Sequence, residues 1–216
     1  MNRREFGSNA ATAVIALCAV ILTFVVVRHE LAPEQAAGPK PEEAANWRSY
    51  QPGGHALYPS MDGPTVVLFS DFDCPFCRQF AEVAEQLRSD GVGFNLWFRH
   101  FPIVGKHPTA IQAAVAAECA ADQGRFRPFH DMMFAEQGEA RRNEWARLAS
   151  ATGITDTARF RECLSAEPPM RRVQADLAEG VRLGVWGTPT IVVNGWRYSG
   201  VVTKDQFVRA IARPSR

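Results

Sequence analysis

Charge of one sign is what this sequence has least of: 24 lysines and arginines stand against 23 acidic residues, a net charge of +1. So even a balance gives no electrostatic footprint for nucleic acid or for a lipid surface. The adjacent Arg171 and Arg172 accordingly read as a solvated helix face. No internal repeat is present. Cysteine is scarce, with five in 216 residues, and Cys18, Cys119 and Cys163 all lie far along the chain from Cys74 and Cys77. The two further ligands that a tetrahedral zinc site would need at ordinary spacing are therefore missing around that pair. What remains is a globular composition, 46% apolar and 22% charged, long enough for one domain with an insertion or for two small ones.

Charge is also absent from Ala10 to Val27, an 18-residue apolar run preceded by Arg3 and Arg4 and followed by Arg28, His29 and Glu30. At about 1.5 Å per residue this is marginally enough to cross a hydrocarbon core. It exceeds the apolar core of a cleaved signal peptide, and no clean A-x-A site follows directly. An uncleaved signal anchor is expected over residues 10–27, with cleavage near Ala36 and Ala37 as the alternative. Arg3 and Arg4 would keep residues 1–9 in the cytoplasm. The expectation is a single-pass protein of the inner (cytoplasmic) membrane, touching the bilayer through residues 10–27, with the remainder on the periplasmic or extracytoplasmic side. Disulfides persist there. Cys18 is then a small apolar residue of the run, and four cysteines remain outside it. Residues 28–46, with Pro33, Pro39 and Pro41 and no periodicity, read as a flexible tether.

The densest signal lies in Thr65 to Phe80. Val66, Val67, Leu68 and Phe69 form a short buried strand, Ser70 to Asp73 a turn, and from Phe76 the apolar positions Phe80, Val83, Ala84 and Leu87 follow a helical period. Cys74 and Cys77 thus sit on the first turn of a helix, where Pro75 lacks only an N–H that would have had no partner. The helix N-terminus favours the thiolate, which is the nucleophilic form. Cys77, three residues on, can resolve a mixed disulfide formed at Cys74. Half of a zinc site and a purely structural disulfide are the competing readings.

Further along, Phe94, Leu96 and Phe98 should share one face of a second buried strand closed by Pro102. His100 should lie exposed at its end. Five helices follow: Pro108 to Gln123, apolar around most of its girth; Gly124 to Phe134; one around Trp145 and Leu148 ended by Gly153; one around Phe160 and Cys163; and one opened by Pro168 and Pro169. On the last, Met170, Val173, Leu177 and Val181 face one way and Gly184 is the stop. Asn194 and Gly195 join two strands as a type I′ hairpin. Thr203 and Gln206 form a capping box for a final helix. A short edge strand or hairpin is expected between Trp47 and Gly63.

This order, with Cys74-Pro75-Phe76-Cys77 opening a helix and Gly187-Thr188-Pro189-Thr190 before the hairpin, resembles the DsbA-like branch of the thioredoxin superfamily over residues 53 to 212. The segment Ala116 to Phe126 also looks like exported members of that group. The resemblance implies an α/β thioredoxin-like fold with an inserted helical subdomain. Thioredoxin-like segments over residues 47–105 and 170–216 would flank the insertion at 106–169, all behind the transmembrane helix. It further implies a cis bond between Thr188 and Pro189, packed on the redox pair where an extended client strand would bind. Two departures bear on redox direction. Phe76 stands where the well-known oxidant has histidine, and Leu68 stands where many relatives bury a carboxylate. Asp71 and Asp73, if near Cys74, would raise its pKa. Cys119 and Cys163 fall on two helices of the insertion, where a structural disulfide is the simplest reading and a second redox pair the rival.

These readings combine into a thiol–disulfide oxidoreductase with Cys74 and Cys77 catalytic, Pro75 and Phe76 beside them, and Thr188 and Pro189 lining the client site. No metal and no organic cofactor are expected. Its partners would be cysteine-containing exported proteins and a membrane or periplasmic redox protein that resets the pair. Disulfide formation is the expected direction, with reduction or isomerisation through the same residues as the alternative. A non-catalytic client-binding or metal-sequestering module is the alternative from another class.

Overall fold

A computed structural model describes Leu17 and residues 19–23, 39–50, 53–59, 63–138 and 144–215. The chain divides into two units, Met1–Ala37 and Gly38–Arg216. In the first unit the described residues are helical, with Leu17, Val20, Ile21 and Leu22 exposed and the Thr23 hydroxyl donating to the Ala19 carbonyl at 2.8 Å. Most of the span 10–27 and most of the tether 28–46 lie outside the described residues. Among those described, no helix is long and apolar enough to cross a membrane, so the expected transmembrane helix has no counterpart there.

The second unit is built on one mixed sheet. Its strands are β1 (Glu42–Glu43), β2 (His55–Tyr58), β3 (Thr65–Ser70), β4 (Asn95–His100), β5 (Thr190–Val193) and β6 (Trp196–Ser199), in the order β1-β6-β5-β3-β4-β2. β3 and β4 run parallel, with Ser70 opposite His100, and every other pairing is antiparallel. A parallel pair needs a crossover, and α1 (Pro75–Ser89) supplies it. The remaining helices are α2 (Ala110–Ala121), α3 (Phe126–Ala135), α4 (Trp145–Ala151), α5 (Thr157–Cys163), α6 (Glu167–Arg182) and α7 (Lys204–Ile211).

Because β3 is central, its alternate residues feed two cores. Val66 and Leu68 pack with Phe80, Ala84 and Leu87 of α1, Phe207 of α7, and the aromatic and alanine side chains of α2 and α3. Val67 and Phe69 pack on the other face with Phe101, Leu183, Val192 and Leu177 of α6. Phe94, Leu96 and Phe98 fall together in the first core. α2 is buried on most sides, with Ala110, Ala113, Ala116, Cys119 and Ala120 all inside. Small side chains permit that close approach. The hairpin turn carries Asn194 at φ 53° and Gly195 at φ 82°, and Thr203 and Gln206 cap α7 reciprocally.

Three expectations about the elements of the second unit differ from the structure. The C-terminal end of the segment read as a tether is built into the sheet: Glu42 and Glu43 pair with Arg197 and Trp196, and the Ala44 amide donates to the Gly195 carbonyl. Edge pairing satisfies backbone groups without any apolar pattern, so composition carried no sign of it. On α6, Val181 is 63% exposed, while Asp176, Glu179 and Gly180 are buried. A Cβ at position 180 would come within 2.6 Å of the Phe101 ring, so the missing side chain is what lets Phe69 and Phe101 pack there. His100, expected at an exposed strand end, is 1% exposed because α2 covers the end of β4 with Glu118.

Candidate redox site

β3 ends at Ser70, and Asp71-Phe72-Asp73 carry the chain over the sheet edge to Cys74. Cys74 is the residue preceding α1, with extended backbone at φ −81° and ψ 118°, and Pro75 takes the first helical position. The Cys74 carbonyl accepts from the amides of Cys77 at 3.0 Å and Arg78 at 3.4 Å, closing the first turn. Cys74 and Cys77 are both free thiols, and both are buried. The peptide bond between Thr188 and Pro189 is cis, and the Cys74 thiol donates to the Thr188 carbonyl at 3.4 Å. The Asp71 amide donates to the Cys77 sulfur at 3.4 Å.

The two thiols are unlike. Hydrogen bonding from Cys77 lowers the Cys74 pKa most; burial works against it, and the Thr188 side chain and the backbone of Cys77 and Phe76 add to the lowering, so that it falls to about 6. Burial, followed by the neighbouring Cys74, pushes Cys77 well above the ordinary thiol value. Among the described residues the Thr188 hydroxyl is buried without a hydrogen-bond partner while Cys74 is a thiol donating to the carbonyl. Once Cys74 ionises, that hydroxyl has an acceptor. A donor whose only complement is the charged form lowers the pKa of that form.

The Cys74 pKa falls even though two aspartates stand beside it in sequence. Asp71 is 2% exposed, and its carboxylate accepts from the amides of Asp73 and Ile103, each at 2.8 Å, and faces His107 Nδ1 at 2.8 Å. Asp73 accepts from the Thr109 hydroxyl at 2.6 Å. Local donors hold both charges, and neither carboxylate is among the largest causes of the Cys74 shift. Leu68 is buried below the site as an apolar side chain, and Phe76 is 55% exposed beside it.

Several residues of the site carried no signal in the sequence. Gln137, just past α3, donates to the carbonyls of Phe72 at 2.8 Å and Cys74 at 2.9 Å. His107 and Thr109 reach Asp71 and Asp73 from the loop before α2. Together they bracket the turn before Cys74 from the insertion side. Cys119 on α2 and Cys163 on α5 are joined by a disulfide, with their Cα atoms 5.7 Å apart. Arg172 departs from the solvated reading: its guanidinium bonds buried Glu118 and, at 2.9 Å, Asp122, while Arg171 pairs with Glu167 at the surface.

A family described as Thioredoxin matches residues 62–213. A Na(+)/H(+) antiporter NhaA 3 of Salinispora tropica is 38% identical over 157 residues, 73% of this chain and 24% of that protein. The chain therefore spans about a quarter of the length of such curated relatives. A thioredoxin-like oxidoreductase of Silicibacter pomeroyi superimposes with a TM-score of 0.69 at 29% identity, covering 78% of this chain and 97% of its own. The thiol-disulfide exchange protein alpha-DsbA2 of Wolbachia pipientis does so with a TM-score of 0.62 at 20% identity, over 73% and 84%. The single-pass inner-membrane placement with a periplasmic domain is overturned. No helix among the described residues can cross a membrane, and the matching curated relatives are antiporters of which this chain covers only a quarter.

Proposed function

We propose, from the premise that this chain belongs to the thioredoxin family matched over residues 62–213, that it exchanges thiols and disulfides with cysteine-containing protein clients through Cys74 and Cys77. The chain is a thiol–disulfide oxidoreductase: it carries the C-x-x-C pair, and its structural neighbours are oxidoreductases of the thioredoxin and DsbA type. The direction we propose is disulfide formation in the client. One observation carries that choice: the Cys74 pKa lies near 6, beside a Cys77 pushed far the other way. A stabilised Cys74 thiolate stabilises the reduced form of the pair and makes the disulfide form the stronger oxidant.

In the oxidising half-reaction a client thiolate attacks the Cys74 sulfur of the Cys74–Cys77 disulfide. The bond between the two sulfurs breaks, and Cys77 leaves as a thiolate whose raised pKa makes it take up a proton. A second client thiolate then attacks the client sulfur of the mixed disulfide and expels Cys74. Its low pKa makes it a good leaving group. Two electrons pass from client to enzyme, and a disulfide or another two-electron oxidant must remove them to reset the pair.

Client binding has support in the loops around the site. Phe76 in the cysteine turn, Val104 after β4 and Trp186 before the cis bond are 55%, 57% and 72% exposed. Each segment flanking the site thus offers one large apolar side chain to an unfolded segment, while the backbone of Thr188 can pair with an extended client strand.

The test is the Cys74–Cys77 reduction potential, set by equilibration with glutathione, together with oxidative refolding of a reduced client. The expectation is a potential well above the roughly −270 mV of a reducing thioredoxin, and loss of refolding in Cys74→Ser. A potential at or below that figure would reverse the direction. Full activity in Cys74→Ser would remove the proposal altogether.

A further inference from the structure

A second cluster of reactive side chains lies outside the redox pair. His55 on β2, His100 on β4 and Glu118 on α2 each offer one ligating atom, and these three atoms all lie within 4.8 Å of one another. His55 Nε2 is 2.7 Å and His100 Nε2 3.0 Å from the same oxygen, Oε1 of Glu118. His100 and Glu118 are each 1% exposed. Among the described residues His100 Nε2 makes no hydrogen bond of ordinary geometry, its one polar neighbour being that carboxylate oxygen. A fully buried imidazole nitrogen thus stands against a carboxylate without a well-aligned hydrogen bond, and a cation shared by the two would satisfy both.

We propose that His55, His100 and Glu118 bind a divalent transition-metal ion, with zinc as the best match. Two imidazoles and one carboxylate form an ordinary zinc set, with bonds of about 2.0–2.2 Å. Such an ion would separate its ligand atoms to about 3.3 Å, so Oε1 need recede by only about half an ångström from the two nitrogens.

The surroundings are arranged to hold the ligands. The His55 ring stacks on Phe126 with centroids 3.7 Å apart, and His100 meets Phe98 edge-on at 5.1 Å. Arg172 bonds the other carboxylate oxygen, Oε2, which fixes the plane of Glu118 and leaves Oε1 facing the rings. The charge of Arg172 is itself shared with Asp122 at 2.9 Å.

His55 is the half-exposed member and gives the entry path. It lines a cavity of about 370 Å³ with Glu118, Asp176, Glu179, Arg99 and Arg172. Three carboxylates face two guanidiniums across that space, so with neutral imidazoles the lining carries one negative charge in excess. A fourth ligand position would open to water on this side. Bound there, the ion would tie the edge strand β2 to β4 and to helix α2.

The experiment uses the full chain, freed of metal by chelation and with Cys74 and Cys77 oxidised so that thiolates cannot compete. Zinc chloride is titrated calorimetrically, and cobalt(II) is added separately to read the visible absorption of a four-coordinate nitrogen–oxygen site. One ion per chain is expected, with affinity falling at least tenfold in both His55→Gln and Glu118→Gln. Zinc should also raise the melting temperature of the wild type and not of the variants. No stoichiometric binding by the oxidised wild type overturns the proposal, as does a change of less than tenfold in His55→Gln. That variant alters a half-exposed side chain and decides the matter even if Glu118→Gln fails to fold.

Discussion

The Cys74 thiol donates to the carbonyl oxygen of Thr188, 114 residues further along the chain, at 3.4 Å, while the Thr188 hydroxyl beside it is buried with no hydrogen-bond partner among the described residues. The same residue therefore complements both protonation states, the thiol through its carbonyl and the thiolate through its hydroxyl. Thr188→Val keeps the shape and the carbonyl and removes only the second. The Cys74 pKa should rise from about 6 by roughly one unit, since a hydrogen bond to a charged group is worth about 1.5–3 kcal/mol and a unit about 1.4 kcal/mol. Thiolate absorbance followed against pH measures it; an unchanged midpoint would remove the hydroxyl from the account.

Folding of the reduced protein should depend on pH with a definite sign. Because the folded Cys74 pKa is depressed to about 6, the unfolded chain binds the extra proton between that value and the ordinary thiol value. Stability of the reduced form should rise over that window as pH increases and be lost as pH falls through about 6. The raised Cys77 acts in the opposite sense, but only above the ordinary thiol pKa, so it leaves the window untouched. Melting temperatures of the reduced protein, referred to the oxidised protein at each pH, test this. Cys74→Ser should abolish the slope.

Gln137 is the bracket between the insertion and the cysteine turn, through its bonds to the carbonyls of Phe72 and Cys74. Gln137→Ala should cost about 0.5–1.5 kcal/mol in urea unfolding, the usual net worth of a hydrogen bond, since the Cys74 carbonyl keeps the amides of Cys77 and Arg78. Faster alkylation of Cys74 at fixed pH should accompany the loss. A variant as stable and as slowly alkylated as the wild type would show that the turn holds without it.

Cys119→Ser together with Cys163→Ser opens the loop of 44 residues between α2 and α5. The expected loss is about 2–5 kcal/mol, while client oxidation by Cys74 and Cys77 at a temperature where the variant is folded should be unchanged. Turnover that fell with stability intact would point instead to a relay of electrons through the second pair.

The elements of the second unit were legible in the sequence because their signals are local. The strand from Val66 to Phe69, the change of period at Phe76, the left-handed pair Asn194 and Gly195, and the capping box at Thr203 each declare themselves within a few residues. The Cys74-Pro75-Phe76-Cys77 turn belongs to the same class, since a helix start needs only its own sequence. The face of α6 shows where local reading stops. Periodicity favoured Val181, but the facing surface of Phe69, Phe101 and Arg99 selected Gly180 and Asp176.

By itself, then, the sequence determined where the chain turns, which strand lies at the centre and which pair of cysteines opens a helix, because backbone preference and hydrophobic period act over neighbouring residues. Only the tertiary structure decided the electrostatics around that pair. Asp71 and Asp73 stand next to Cys74 in sequence, yet His107, Ile103 and Thr109 hold their charges. Thr188 lies far away in sequence, yet supplies the groups that meet the Cys74 sulfur. His55, His100 and Glu118 come from three separate elements, yet their ligating atoms lie within 4.8 Å of one another. Charge interaction and hydrogen bonding depend on distance and direction in space, and folding sets those only after every element has found its neighbour.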